Sequence, residues 1–118
     1  MQAKQDKNNS RRKRLKAALV GLPSDENTER LADFYSAFAD RTRLRIISAL
    51  LAASELSVGQ LSRIAGTTDS AVSHQLKTLR LLRLITYRSE GRMSYYRLDD
   101  EHIEQILKAG LEHVMEQV

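Results

Sequence analysis

Apolar residues along this chain recur with a helical period for most of its length and give way once to a β-rich texture. From Asn27 onward, Leu31, Phe34, Tyr35 and Phe38 fall at three- and four-residue spacings, which predicts an amphipathic helix. Asp40 is placed to cap the next helix, with Leu44, Ile47, Leu50 and Leu51 inward and Arg41 and Arg45 one turn apart on the outer face. In the stretch SVGQLSRIAGTTDSAVSHQLKTLRLLRLI, Ser57 can cap a short helix carrying Val58, Leu61 and Ile64. Gly66 suits the left-handed residue that ends such a helix. Thr67 or Thr68 then caps another, with Val72, Leu76, Leu79 and Leu82 on its apolar face. Helix, short glycine turn, helix is the helix-turn-helix pattern. LITYR and MSYYRL flank the turn SEGR and predict a two-stranded hairpin. A last helix begins near Asp99 or Asp100, with Ile103, Ile106, Leu107, Gly110, Leu111 and Val114 on a broad apolar face. The expected fold class is mainly α with a small β-hairpin, a winged helix-turn-helix spanning residues 26–118. Residues 1–25 form a basic extension. Residues 1–10 lack periodic apolar positions and are expected to be disordered, and RRKRLKAALVGL reads as a short basic helix closed by Gly21 and Pro23.

Composition adds limits. A chain of 118 residues with 42% hydrophobic content makes one domain with a small core, the kind that often supplements its core by dimerising. Charged residues interrupt every apolar run, so no membrane span is expected, and no secretory leader follows the basic start. With no cysteine, disulfides and thiolate metal sites are ruled out and a reducing cytoplasm is the expected location. The net charge of +4 is segregated: residues 1–16 carry seven basic residues against Asp6 alone, residues 54–97 are basic, and residues 98–118 are acidic. Basic surface suits nucleic-acid phosphates, and clustered carboxylates suit a cation or water.

On the second helix of the helix-turn-helix, the positions outside the core are Ser70, Ser73, His74, Lys77 and Arg80. The first four share one face, and hydroxyl, imidazole and ammonium groups there can reach base edges or phosphates in a major groove. Gln75 can read adenine, although its rotation about the helix is less favourable. The hairpin adds Arg88, Arg92 and Arg97, with Gly91 allowing a tight tip. A charged helix face is usually just solvated. That plain reading does not account for the motif, the hydroxyls along its second helix and the basic hairpin together, so DNA binding is the better one. His74 has no second ligand near it in sequence and is read as a DNA-facing imidazole. The basic extension is read equally well as a phosphate-binding arm or a solvated tail.

His102 and His113 lie eleven residues apart on the last helix. That is about 16 Å along the axis and within roughly 20° in rotation. Zinc–nitrogen bonds are about 2 Å long, so these two histidines cannot share an ion within one chain. They can if a second copy of the helix packs antiparallel across a two-fold axis, which generates two identical sites and a homodimer through the terminal helices. Glu116 follows His113 by three residues and shares its face. Asp100, at the N-cap, can turn its carboxylate toward His102. Asp100 and His102 from one chain with His113 and Glu116 from the other would suit zinc, then cobalt. The plainer reading also stands at this point: acidic residues belong at a helix N-terminus, and lone histidines on amphipathic helices are usually surface residues.

FADRTRLRIISALL, ELSVGQLSRIAG, SAVSHQLKTLRLLRLITYRSEGRMSYYRL and DDEHIEQILKAGLEHVMEQ together resemble the ArsR/SmtB family of metal-responsive repressors, across roughly residues 28–117. The Asp-x-His and His-x-x-Glu pairs on the last helix are most similar to the zinc-sensing branch. The resemblance implies a homodimeric repressor that occupies operator DNA when metal-free and leaves it on binding Zn(II), with Co(II) or Ni(II) as lesser effectors. It carries Asp100, His102, His113 and Glu116 over as ligands. It also implies that His113 couples the metal to the DNA-binding helix through a backbone carbonyl near Arg83. Where many relatives carry a cysteine motif, this chain has Ser57 and Gly59, so a thiolate site is absent. Two other readings remain open: a repressor whose terminal-helix site is vestigial or answers another signal, and an interaction module that borrows the winged fold. A zinc hydrolase is disfavoured, since four protein ligands leave no position for catalytic water.

Overall fold

A computed structural model describes residues 2–116 of the chain. The elements are α1 (Gln2–Gly21), α2 (Asp25–Ser36), a 3-10 turn (Ala37–Ala39), α3 (Arg41–Ala53), β1 (Leu56–Ser57), α4 (Val58–Ala65), α5 (Asp69–Leu81), β2 (Ile85–Glu90), β3 (Met93–Leu98) and α6 (Glu101–Glu116). They fall into two compact units divided between Ala32 and Asp33, within α2. Residues 2–10, expected to be disordered, are helical. Gln2, Ala3, Lys4, Gln5 and Lys7 favour a helix, whereas Asp6, Asn8, Asn9 and Ser10 favour it less, and α1 buries no residue at all.

Local chemistry sets the helix boundaries of the second unit. Asp40 accepts a hydrogen bond from the Arg43 amide at 2.9 Å and starts α3. Ser57 starts α4 with a reciprocal capping box: its hydroxyl accepts from the Gln60 amide at 3.3 Å, and the Gln60 side chain accepts from the Ser57 amide at 2.9 Å. Gly66 ends α4 at φ 69°, in the left-handed region. Thr68, the second of the two threonines considered, caps α5 by accepting from Ala71.

The core draws on every element from the 3-10 turn to α6 except β1. Ile46, Ile47 and Leu50 of α3 meet Leu61 of α4, Val72, Leu76 and Leu79 of α5, Leu84, Ile85 and Leu98 around the hairpin, and Ile103 and Leu107 of α6. Two inward positions on α3 differ from expectation. Leu44 is exposed and Ile46 is buried, because α3 packs against both α4 and β3 and so buries a broader face, rotated from the expected stripe.

The hairpin is also larger than expected. β1 pairs antiparallel with β3, Leu56 opposite Tyr96, so the sheet has three strands in the order β1-β3-β2. A two-residue segment carries too little alternation to read as a strand. Its pairing anchors the hairpin to the body of the domain. At the tip, Glu90 pairs with Met93 around Gly91-Arg92, and Gly91 supplies the positive φ of 60° that a tight two-residue turn requires. The architecture is a winged helix-turn-helix. Among the described residues, no helix is long and apolar enough to cross a membrane.

The capping box yields one expectation. Ser57→Ala should lower unfolding free energy by about 1 kcal/mol, within the range for lost N-caps, measured by urea denaturation. An unchanged midpoint would show that the cap contributes nothing.

Candidate DNA-binding face and terminal-helix ligand pairs

Packing Val72, Leu76 and Leu79 inward turns the opposite face of α5 to solvent. Ser70, Ser73, His74 and Lys77 are exposed there, and Arg80 is exposed at its edge. Gln75 lies on the flank and is half-buried. The residues singled out on this helix therefore form one continuous polar face, apart from Gln75.

One arginine ties this face to the wing, and a second holds the wing itself. The Arg80 guanidinium lies 4.9 Å from the Tyr87 ring centroid, and Tyr87 in turn packs 5.6 Å from Tyr96. Arg88 is more heavily engaged. Its Nη2 donates to Glu55 Oε1 at 2.7 Å, its Nε to the same carboxylate, and its Nη1 to Glu90 Oε2 at 2.8 Å. The guanidinium also lies over Tyr95, 4.8 Å from the ring centroid. Arg88 therefore braces the wing against the segment entering β1. Arg92, at the tip, is exposed. Sequence reading missed Glu55, which lies 33 residues from Arg88, and no local pattern links them.

Arg83 follows α5 with φ 62°, one of two non-glycine residues with positive φ among the described residues. Its amide donates to the Arg80 carbonyl at 3.0 Å and that of Leu84 to the Leu79 carbonyl at 3.0 Å, which closes the helix end. The left-handed conformation costs a non-glycine residue about 1–2 kcal/mol.

At the start of α6, Asp100 Oδ1 accepts from the amides of His102 at 2.9 Å and Ile103 at 3.2 Å. The same oxygen lies 3.5 Å from His102 Nδ1. Asp100 thus caps α6 and turns toward His102, as expected. His113 and Glu116 are exposed near the other end of the helix. Among the described residues, no three His, Asp or Glu side chains of one chain converge as a metal site. Along α6 the apolar positions continue past the buried Ile103 and Leu107: Leu111 is 42% exposed, and Val114 and Met115, between His113 and Glu116, are 57% and 71% exposed.

A family model described as bacterial regulatory protein, arsR family, matches residues 40–87. A transcriptional repressor SmtB homolog of Synechocystis is 43% identical over 91 residues, covering 77% of this chain and 68% of that protein. A homolog of the cadmium resistance transcriptional regulatory protein CadC from Staphylococcus aureus is 34% identical, covering 77% of this chain and 75% of that one. Among solved structures, the homodimeric winged helix-turn-helix DNA-binding domain Mb0332 of Mycobacterium bovis, a possible ArsR-family transcriptional regulator, aligns with a TM-score of 0.69 at 25% identity, covering 82% of this chain and 91% of that chain. These relatives are regulators of transcription rather than enzymes.

The Arg88 hydrogen bond holds the Glu55 carboxyl below its ordinary value of 4.5, assisted by the charges of Arg88 and Arg97. A depressed carboxyl stabilises the fold above its unfolded value, and that contribution is lost as pH falls through the lowered folded value. A carbon-13 NMR titration of Glu55 should therefore show a midpoint below 4.5 that returns toward 4.5 in Arg88→Ala. A midpoint that stays low in the variant would assign the shift to another group.

Proposed function

Because the chain belongs to the ArsR/SmtB family of transcriptional regulators, which includes metal-responsive repressors, we propose that it binds operator DNA as a metal-free homodimer and is released by Zn(II). In this reading α5 enters the major groove, with Ser70, Ser73, His74 and Lys77 toward bases and phosphates. Gln75 contributes from the flank, Arg80 from the wing side and Arg92 from the tip. Arg88 sets the wing's position and has donors left for a phosphate. A dimer presents two such helices to half-sites about 34–36 Å apart. A cytoplasmic location accords with this role.

The metal reading rests on one observation above all. Capping of α6 places Asp100 Oδ1 3.5 Å from His102 Nδ1, so a carboxylate and an imidazole lie together at an exposed helix end. The capping bonds fall on Oδ1 and leave Oδ2 for a ligand bond. Glu116 shares a face with His113 three residues before it. An antiparallel partner helix would bring the partner subunit's His113 and the partner subunit's Glu116 to Asp100 and His102, and cover the apolar residues beyond Leu107. The donor set of two imidazoles and two carboxylates fits zinc, then Co(II), with Ni(II) less suited because it favours square-planar or higher coordination.

A bound ion can move the protein off DNA only through unequal affinity for two protomer arrangements. Bridging two α6 helices favours one arrangement, and half-site spacing turns that preference into weaker DNA binding. His113 would use one ring nitrogen for the metal and donate from the other to a backbone carbonyl near Arg83. The positive φ at Arg83 supports the junction of α5 and β2 as the element with two states.

The test is a zinc titration of protein bound to a duplex it selects from a random library. One equivalent per protomer should release the DNA, Co(II) should give tetrahedral absorption bands, and His102→Ala should bind DNA normally but stay bound in zinc. Equal DNA affinity with and without zinc would favour a vestigial site. His113→Ala should lose release; retained tight zinc binding and release in that variant would remove the coupling route. Lys77→Ala, present twice in the dimer, should weaken binding and flatten its salt dependence by about two units of slope.

A further inference from the structure

The polar face of α5 and the wing leave the most basic segment of the chain unused. Within α1, Lys4, Lys7, Arg11 and Arg14 follow one another at spacings of three, four and three residues. On a helix these positions fall within roughly 80° of one another and extend over about 15 Å of axis. Lys7, Arg11 and Arg14 border a single shallow open groove, together with Asp6 and Ser10. No ion pair among the described residues engages this row. Like charges at three- and four-residue spacing repel one another and oppose the helix that carries them. An anion laid along the row relieves that repulsion.

The chemistry narrows the anion. A membrane-bound helix sets an apolar face opposite its cations along its length. In residues 2–14, Ala3 is the sole apolar residue, and Leu15, Leu19 and Leu22 come only after the cationic row. A solvated, rod-like polyanion fits such a segment better than a lipid surface. Duplex DNA is that polyanion, with one charge per about 1.7 Å of axis. We propose that α1 is a second DNA-contacting element, which grips backbone phosphates through Lys4, Lys7, Arg11 and Arg14 without reading sequence. This rests on the DNA-binding reading above. It assigns the extension a sequence-independent share of affinity.

The experiment uses the full chain and a mixed-sequence duplex of about 40 base pairs, with affinity measured over a series of salt concentrations. Replacing the four cations with glutamine should flatten the slope of log affinity against log salt by about 0.9 for each phosphate no longer neutralised, so up to about 3–4 units per protomer and about 7 for the dimer. Preference for a selected operator over the mixed duplex should be preserved or raised. α1 buries no residue, so the substitutions should leave the thermal melting of the core in place. Asp6→Asn, which removes the one opposing charge, should strengthen binding. A normal wild-type slope that is unchanged in the fourfold variant would overturn the proposal alone. A wild-type protein with no salt-dependent DNA affinity would remove both it and the reading it rests on. Unchanged DNA slopes with loss of binding to phosphatidylglycerol vesicles would make α1 a membrane element instead.

Discussion

Ligands of one metal ion must converge within a few ångströms, whereas one α6 helix spaces its two histidines about 16 Å apart. This mismatch shapes the proposed sensor. It excludes a site shared by the two histidines within a protomer and assigns to each chain two half-sites at opposite ends of one helix. Of the uncovered apolar residues, Leu111 lies between those ends, and Val114 and Met115 lie between His113 and Glu116. In the proposed dimer, an interface there would join the half-sites and cover the exposed surface at once. In the proposed metal-free homodimer, metal binding would then act on an interface already formed and bias the spacing of the two α5 helices.

The features read correctly from sequence are those determined within a few residues. Asp40, Ser57 and Thr68 cap their helices through bonds that reach three residues forward, and Gly66 takes the left-handed conformation that glycine tolerates. Asp100 belongs to the same class, and its cap is what brings a carboxylate to His102. Features set by distant contacts were not readable. β1 exists because Leu56 and Ser57 find Tyr96 and Tyr95 some forty residues later. Ile46 replaces Leu44 in the core because two neighbours press on α3 from different sides. The helix over residues 2–10 was missed for a different reason: α1 buries no residue, so apolar periodicity carries no trace of it.

Arg88 shows how structure changes the meaning of a charge. In the sequence it is one of three arginines on a basic hairpin. In the fold it holds two carboxylates and an aromatic face at once. Such a residue positions the wing, which in the proposed DNA-binding mode would set where its tip lies while α5 enters a groove. The Arg80–Tyr87 contact joins α5 to the same wing. A shift at the end of α5, where Arg83 holds a left-handed backbone, would therefore be felt on both DNA-facing elements.

The split of each site between chains is tested most directly by mixing two defective proteins. One carries Asp100→Ala and His102→Ala, the other His113→Ala and Glu116→Ala, so neither homodimer retains a complete ligand set. In the mixed dimer one site combines the intact halves and the other combines the damaged ones. Isothermal titration of the purified heterodimer should find one tight zinc per dimer, where each homodimer binds none tightly. A heterodimer that binds no zinc, or homodimers that bind it as well as the wild type, would contradict a site built across the interface.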